Sequence, residues 1–173
     1  MVDELGRGTL HLVLGPVGSG KSTYATRLAD ELGAVRFDLD GWMARLYGDD
    51  ERPIDRVPWY LERVQRVLGQ IQEVATHIAA AGTDVVLELG LIRRQDRRCF
   101  YAWVDASAWD LTVHLLDAPR EVRRERVRYR NAARGPTFSM PVPDEVFELA
   151  SDLWEAPDEL ERSDRRIVDV QTG

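Results

Sequence analysis

Nine residues near the N-terminus constrain this chain more than any other feature: Gly15-Pro16-Val17-Gly18-Ser19-Gly20-Lys21-Ser22-Thr23. The run fits G-x-x-x-x-G-K-[ST], the phosphate-binding P-loop, and such a loop needs a strand before it and a helix after it. Both are legible. Thr9 to Leu14 reads as a short buried strand, and Ser22 to Leu32 as a helix with Ala25, Leu28, Ala29 and Leu32 at helical spacing. Glycines let the backbone curl its N–H groups towards an anion, and the helix N-terminus adds its positive dipole end. The lysine stands out further: of 23 basic residues, all but Lys21 are arginine. A compact ammonium on a flexible stem can enter a ring of amides and touch the β- and γ-phosphates, where a planar guanidinium is too wide. The run therefore implies a nucleoside triphosphate bound with Mg2+. Ser22 would ligate the metal through its hydroxyl, and Thr23 would reach the α-phosphate.

Length and charge bound the rest. The 173 residues suit one domain, 1–173. Apolar content of 44% and charge of 31% belong to the soluble globular class. No apolar run approaches a membrane span and no signal-peptide pattern opens the chain, so a cytoplasmic protein with no membrane partner is expected. A net charge of −7 argues against a broad nucleic-acid surface. The lone Cys99 excludes an intramolecular disulfide and is expected to be buried and structural. His11, His77 and His114 show no metal-ligand spacing and read as packing or surface residues. Oligomeric state is open.

Strands and helices alternate. Further strands are expected at 34–39, 84–89, 111–116 and 166–170, and helices at 59–81, 95–107, 119–131 and 143–154. On the longest helix Leu61, Val64, Leu68, Ile71, Val74, Ala75 and Ile78 form one side. Such alternation implies a mostly parallel sheet covered on both faces, with ligands at the carboxyl ends of its strands. Segments 41–58 and 132–141 read as loops.

Chemistry reappears at Phe37-Asp38-Leu39-Asp40, where the second strand ends. A phosphotransferase needs a base for its acceptor hydroxyl and carboxylates to hold Mg2+ or its waters. Asp40 is the base candidate and Asp38 the metal-side candidate. The competing reading makes Asp40 a helix N-cap, and the two roles are compatible.

The strand-two aspartate, Val85-Val86-Leu87-Glu88, Arg93-Arg94-Gln95-Asp96-Arg97, and Leu116-Asp117-Ala118-Pro119-Arg120 through Arg126 and Arg130 together resemble the small P-loop kinases. That group includes chloramphenicol phosphotransferase, polynucleotide kinase, zeta toxins, and gluconate and shikimate kinases. The resemblance spans nearly the whole chain. It implies a P-loop NTPase α/β/α sandwich whose five-stranded parallel sheet runs in the order 2-3-1-4-5. It also implies a helical lid at about 120–142, and a catalytic aspartate at Asp40. By the same resemblance Arg126 and Arg130 are lid arginines, while Arg120, Arg123, Arg124 and Arg128 are left to a solvated face. Glu88 departs from many relatives, which carry aspartate there. It could reach a Mg2+-bound water, or pair structurally with an arginine.

Acceptor recognition is expected after Asp40 and around Gly90. Trp42, Arg56, Gly90 and Arg93 are the candidate contacts, with the first equally able to fill a core. Glycine at 90 would let a substrate approach closely. Trp154 to Pro157 are expected beside the nucleotide base. The function implied is a kinase moving the γ-phosphoryl of ATP to a small-molecule hydroxyl. A different class, an NTP-hydrolysing switch or regulatory ATPase, is the competitor, and a toxin-type kinase acting on a nucleotide-sugar stays within the first. A guanine-specifying N-K-x-D box is absent, since no second lysine exists.

Overall fold

In the computed structural model, residues 6–50, 56–135 and 138–172 are described. Five strands form the sheet: β1 (Leu10–Leu14), β2 (Val35–Asp38), β3 (Val85–Glu88), β4 (Leu111–Asp117) and β5 (Ile167–Gln171). Their order is β2-β3-β1-β4-β5, and every pairing is parallel. Seven helices connect and cover them among the described residues: α1 (Lys21–Leu32), α2 (Leu39–Tyr47), α3 (Arg56–Ala80), α4 (Arg94–Ala106), α5 (Arg120–Ala133), α6 (Asp144–Asp152) and α7 (Glu159–Asp164). The fold is the P-loop sandwich that the resemblance implies.

Strand parity decides what meets the site. Leu10, Leu12 and Leu14, with Val85 and Leu87, pack with Val67, Ile71, Ala75 and Phe100 on one face. Val13, Val86 and Leu116 pack with Ala25, Leu28 and Ala29 of α1 on the other. Successive side chains alternate between faces. Glu88, two residues after Val86, therefore falls on the α1 side, where the phosphate loop ends.

Several elements differ from expectation. On α3 the fully buried stripe is Val67, Ile71, Ala75 and Ala79, while Leu61 is exposed. The small residues at four-residue spacing allow close approach to the sheet, and the larger ones flank them. Residues 41–47 are no loop but part of α2, and α3 begins at Arg56, with 51–55 outside the described residues. Asp38 caps α2 by accepting from Gly41 N–H at 3.1 Å, which places Asp40 inside the first turn and rules it out as the cap. The short α7 has no counterpart in the sequence reading. Ala132 and Ala133 complete α5, and Asn131 then holds Val142 at both its carbonyl (2.7 Å) and its amide (3.1 Å). Residues 136–137 of that connection lie outside the described part. Cys99 is exposed, because its position on α4 faces away from the sheet.

The histidines are in part networked. His11 and His114 share a hydrogen bond of 3.1 Å, and Tyr24 Oη lies 2.8 Å from His114 Nδ1. Burial, then the neighbouring His11 and Arg166, pushes His114 down to about 4. His77 is exposed on α3.

Candidate active site

The loop between β1 and α1 is built by backbone contacts that tolerate no side chain. A Cβ on Gly15 would lie 2.5 Å from Leu116 O, and one on Gly18 would lie 2.6 Å from Arg123 O. Gly18 and Gly20 also hold φ of +79° and +94°, which L side chains rarely adopt. Gly18 occupies a variable position of the motif, so its necessity comes from α5 crossing behind it. Ser19 is fully buried and its Oγ has no partner among the described residues. Lys21 Nζ donates to Gly15 O and Pro16 O, both at 2.9 Å. Its ammonium is thereby folded across the mouth of the loop. Burial lowers its pKa, against the attraction of Glu88 and Asp40, while Arg130 and Arg123 add to the lowering.

Three carboxylates gather beside this loop, each bonded differently. Asp38 and Glu88 stand side by side in the β2–β3 register. Asp38 caps α2 and lies 3.4 Å from Arg36. Glu88 accepts from Ser22 Oγ and from Arg36, each at 2.7 Å. Glu88 is thus paired with an arginine, one of the two roles expected for it, and is also bonded to the P-loop serine. Arg36, absent from that reading, balances the two acids. Asp40 makes no hydrogen bond or ion pair among the described residues. Its side chain is exposed to the cleft, yet recessed enough that desolvation raises its pKa first, followed by repulsion from Asp38 and Glu88. Lys21 and Arg130 partly offset the rise. Tyr60 of α3 stands near enough to feel the Asp40 charge, and burial and that charge both raise its phenol.

The arginines of α5 divide differently from expectation. Arg130 couples to Lys21 and Asp40, and its Nε is buried without a partner among the described residues. Arg126 reaches Thr172, just past β5, at its hydroxyl (3.3 Å) and carbonyl (3.2 Å). Thr172 Oγ1 donates in turn towards Ser19 O (3.0 Å) and Asp117 O (3.1 Å), so the end of β5 is tied to the loop. The solvated reading holds for Arg128, which is exposed, and fails for Arg123. Arg123 is buried; Arg120 pairs with Glu148 and Asp152 of α6, Arg124 with Glu148, and Arg128 with Asp144. Those acids sit on α6 at the spacings that face α5, which the α5 sequence alone does not reveal.

Other candidates are distributed as follows. Trp42 lies tilted against Phe37, with ring centroids 5.6 Å apart, on the margin of the core. Tyr47 and Trp59 sandwich with Arg63 and join α2 to α3. Arg56 opens α3, and its side chain lies outside what the structure describes. Gly90 has φ +63° and open space beside it. Arg93 is exposed at the start of α4, and its side chain has no bonded partner among the described residues. Trp154 packs on the core near Arg97, and Glu155 binds Ile92 O and Arg94 N–H, so this segment braces α4. A cavity of about 390 Å³ between α4 and α7 holds none of the loop residues. Within its lining Arg165 pairs with Asp105, and Arg94 and Glu161 pair with Asp158 and Arg97 just outside it.

The residues fit a triphosphate with a divalent cation. The loop offers curled amides, an ammonium and a helix N-terminus. Ser22 Oγ and the adjacent Glu88 supply hard oxygen donors of the kind Mg2+ prefers. No group of three His, Cys, Asp or Glu side chains among the described residues could hold a metal unaided. No described helix is long and apolar enough to cross a membrane.

Comparison with known proteins agrees with this geometry. A family model described as an AAA domain matches residues 10–157. No curated protein matches the sequence. Among solved structures, a sugar kinase from Janibacter sp. aligns at TM-score 0.60 and 22% identity, covering 95% of this chain and 85% of that one. The APS kinase of Mycobacterium tuberculosis, solved with AMPPNP and APS, aligns at 0.63 and 19%, covering 96% and 89%. Kti12 of Chaetomium thermophilum, solved with ADP-AlF3, aligns at 0.68 and 18%, covering 94% and 88%. Identities this low establish the fold that these proteins share with the chain.

Proposed function

We propose, from the premise that the chain belongs to the AAA domain family matched over residues 10–157, that it is an ATP-dependent kinase acting on a small-molecule hydroxyl. One observation carries the reading. Of the three carboxylates beside the phosphate loop, only Asp40 is left unbonded among the described residues, and its proton affinity is raised. A base that must take a hydroxyl proton gains from both properties. The likeness to a sugar kinase and to an APS kinase supports a small acceptor, and the negative net charge favours this over nucleic acid.

In this reading the amides from Gly15 to Thr23 and the Lys21 ammonium hold the β- and γ-phosphates. The acceptor lies between Asp40, Tyr60, Gly90 and Arg93. Its oxygen bonds to the γ-phosphorus as the bond to the β-bridging oxygen breaks, its proton passes to an Asp40 carboxylate oxygen, and ADP leaves. Arg130, and Arg126 once released from Thr172, would meet the charge spread over the transferring group. Mg2+, when bound, would neutralise phosphate charge, held by Ser22 with Glu88 and Asp38 behind it. The test is transfer of labelled γ-phosphate from ATP to a library of hydroxyl-bearing metabolites, with Asp40→Asn as control. Acceptor-dependent ADP release that falls by about 10²-fold or more in Asp40→Asn supports the reading. Acceptor-independent hydrolysis indifferent to that change would favour the switch ATPase.

A further inference from the structure

Arg123 is a buried arginine without a carboxylate. Only 6% of it is exposed, and among the described residues it makes no ion pair. Its Nε donates to Ala118 O at 3.0 Å; one terminal nitrogen donates to Val17 O at 2.9 Å and to Ser151 Oγ at 3.2 Å. Its guanidinium also lies 5.6 Å from the Phe147 ring. Every acceptor is neutral. Asp117 and Glu148 act on it only at longer range, and burial lowers its pKa first. Burying an uncompensated cation is costly unless something else benefits from the charge.

The position says what benefits. Val17 is a P-loop residue, and the Arg123 backbone lies directly against Gly18. The charge is close enough to the phosphate site to lower the Lys21 pKa. We propose that Arg123 is a positioning residue and a fixed second cation behind the phosphate loop. It holds the Val17 carbonyl out of the anion's way and adds a field that grows in importance with each phosphate bound. Through Ser151 the same guanidinium ties loop geometry to α6. The inference rests on the P-loop binding a nucleotide, but not on phosphoryl transfer.

Calorimetric affinities for AMP, ADP and ATP separate a field from a mere brace. The variants are Arg123→Gln, which keeps a two-donor amide and loses charge, and Arg123→Lys, which keeps charge and loses the planar donor fork. Arg123→Gln should weaken ATP about tenfold and AMP by less than about twofold, with ADP between. Arg123→Lys should restore most of that gradient. Equal weakening of all three nucleotides, or a gradient as lost in the lysine variant as in the glutamine, would overturn the inference. If the glutamine variant fails to fold, Arg123→Lys decides alone: a lost gradient at unchanged Tm overturns it, and a kept gradient supports it. Failure of the wild-type protein to bind ATP or tripolyphosphate would overturn the P-loop reading itself, and this inference with it.

Discussion

At the scale of single residues, two predictions distinguish binding from chemistry. Lys21→Ala removes an ammonium whose bonds among the described residues go only to Gly15 O and Pro16 O. The fold should persist, and ATP affinity should drop by about 10²-fold or more, read by calorimetry. Lys21→Arg should be nearly as impaired, since its planar head does not fit the loop. Asp40 carries a pH signature. Its folded-state pKa is raised, so over the window above its ordinary value the folded chain binds a proton that the unfolded chain has released. Stability is then lost as pH rises through that window. Asp40→Asn should melt higher than wild type at pH 7, and the two should converge as pH falls below the ordinary aspartate range near about 4. A variant that melts lower at pH 7 would show Asp40 to be a structural group. The acid limb of kcat/KM should likewise lie above the usual carboxylate range in wild type.

At the scale of elements, α5 faces two partners. Arg120, Arg124 and Arg128 grip α6, whereas Arg126 and Arg130 look to Thr172 and the phosphate loop. Arg126→Ala should reduce kcat more than it weakens ATP binding, because its charge matters most when the site has closed. Arg124→Ala should leave kcat almost unchanged. Its effect should appear as faster hydrogen exchange in α6, as the contact with Glu148 is lost. Equal kinetic losses from the two truncations would mean that α5 acts only as a scaffold.

Across the whole molecule, the buried Arg97–Glu161 pair joins the C-terminal segment to the loop at 90–93. Arg97 is wholly buried and forks onto Glu161 at 2.7 and 2.8 Å, with weaker bonds of 3.4 Å to Leu91 O and Ile92 O. Those carbonyls belong to the loop that runs from Gly90 to Arg93. Glu161→Ala leaves a buried guanidinium unpaired and should cost about 3–5 kcal/mol in urea unfolding. The loss should also reach the acceptor KM through the 90–93 loop. An acceptor KM unchanged in the folded variant would confine the pair to stability.

What the sequence determined by itself was local. A strand, a glycine loop, a lysine and a helix are contiguous, and their geometry follows from nearest-neighbour sterics and hydrogen bonding. The same holds for the alternation that predicts the parallel sheet, and for Pro119 and Pro143 at the starts of α5 and α6. Residue spacing also placed Asp38 and Asp40 at a strand end. Which carboxylate stays free could not be read that way. That depended on Arg36 and Ser22 arriving beside Glu88 and on Asp38 turning to cap α2, contacts between residues as far as 66 positions apart. The basic run on α5 was equally ambiguous, because a helix pattern gives the faces but not what they meet. Arg123 met the back of the loop, and Arg124 met an acid on α6. Burial and long-range pairing assign charge its role, and those exist only once the chain has packed.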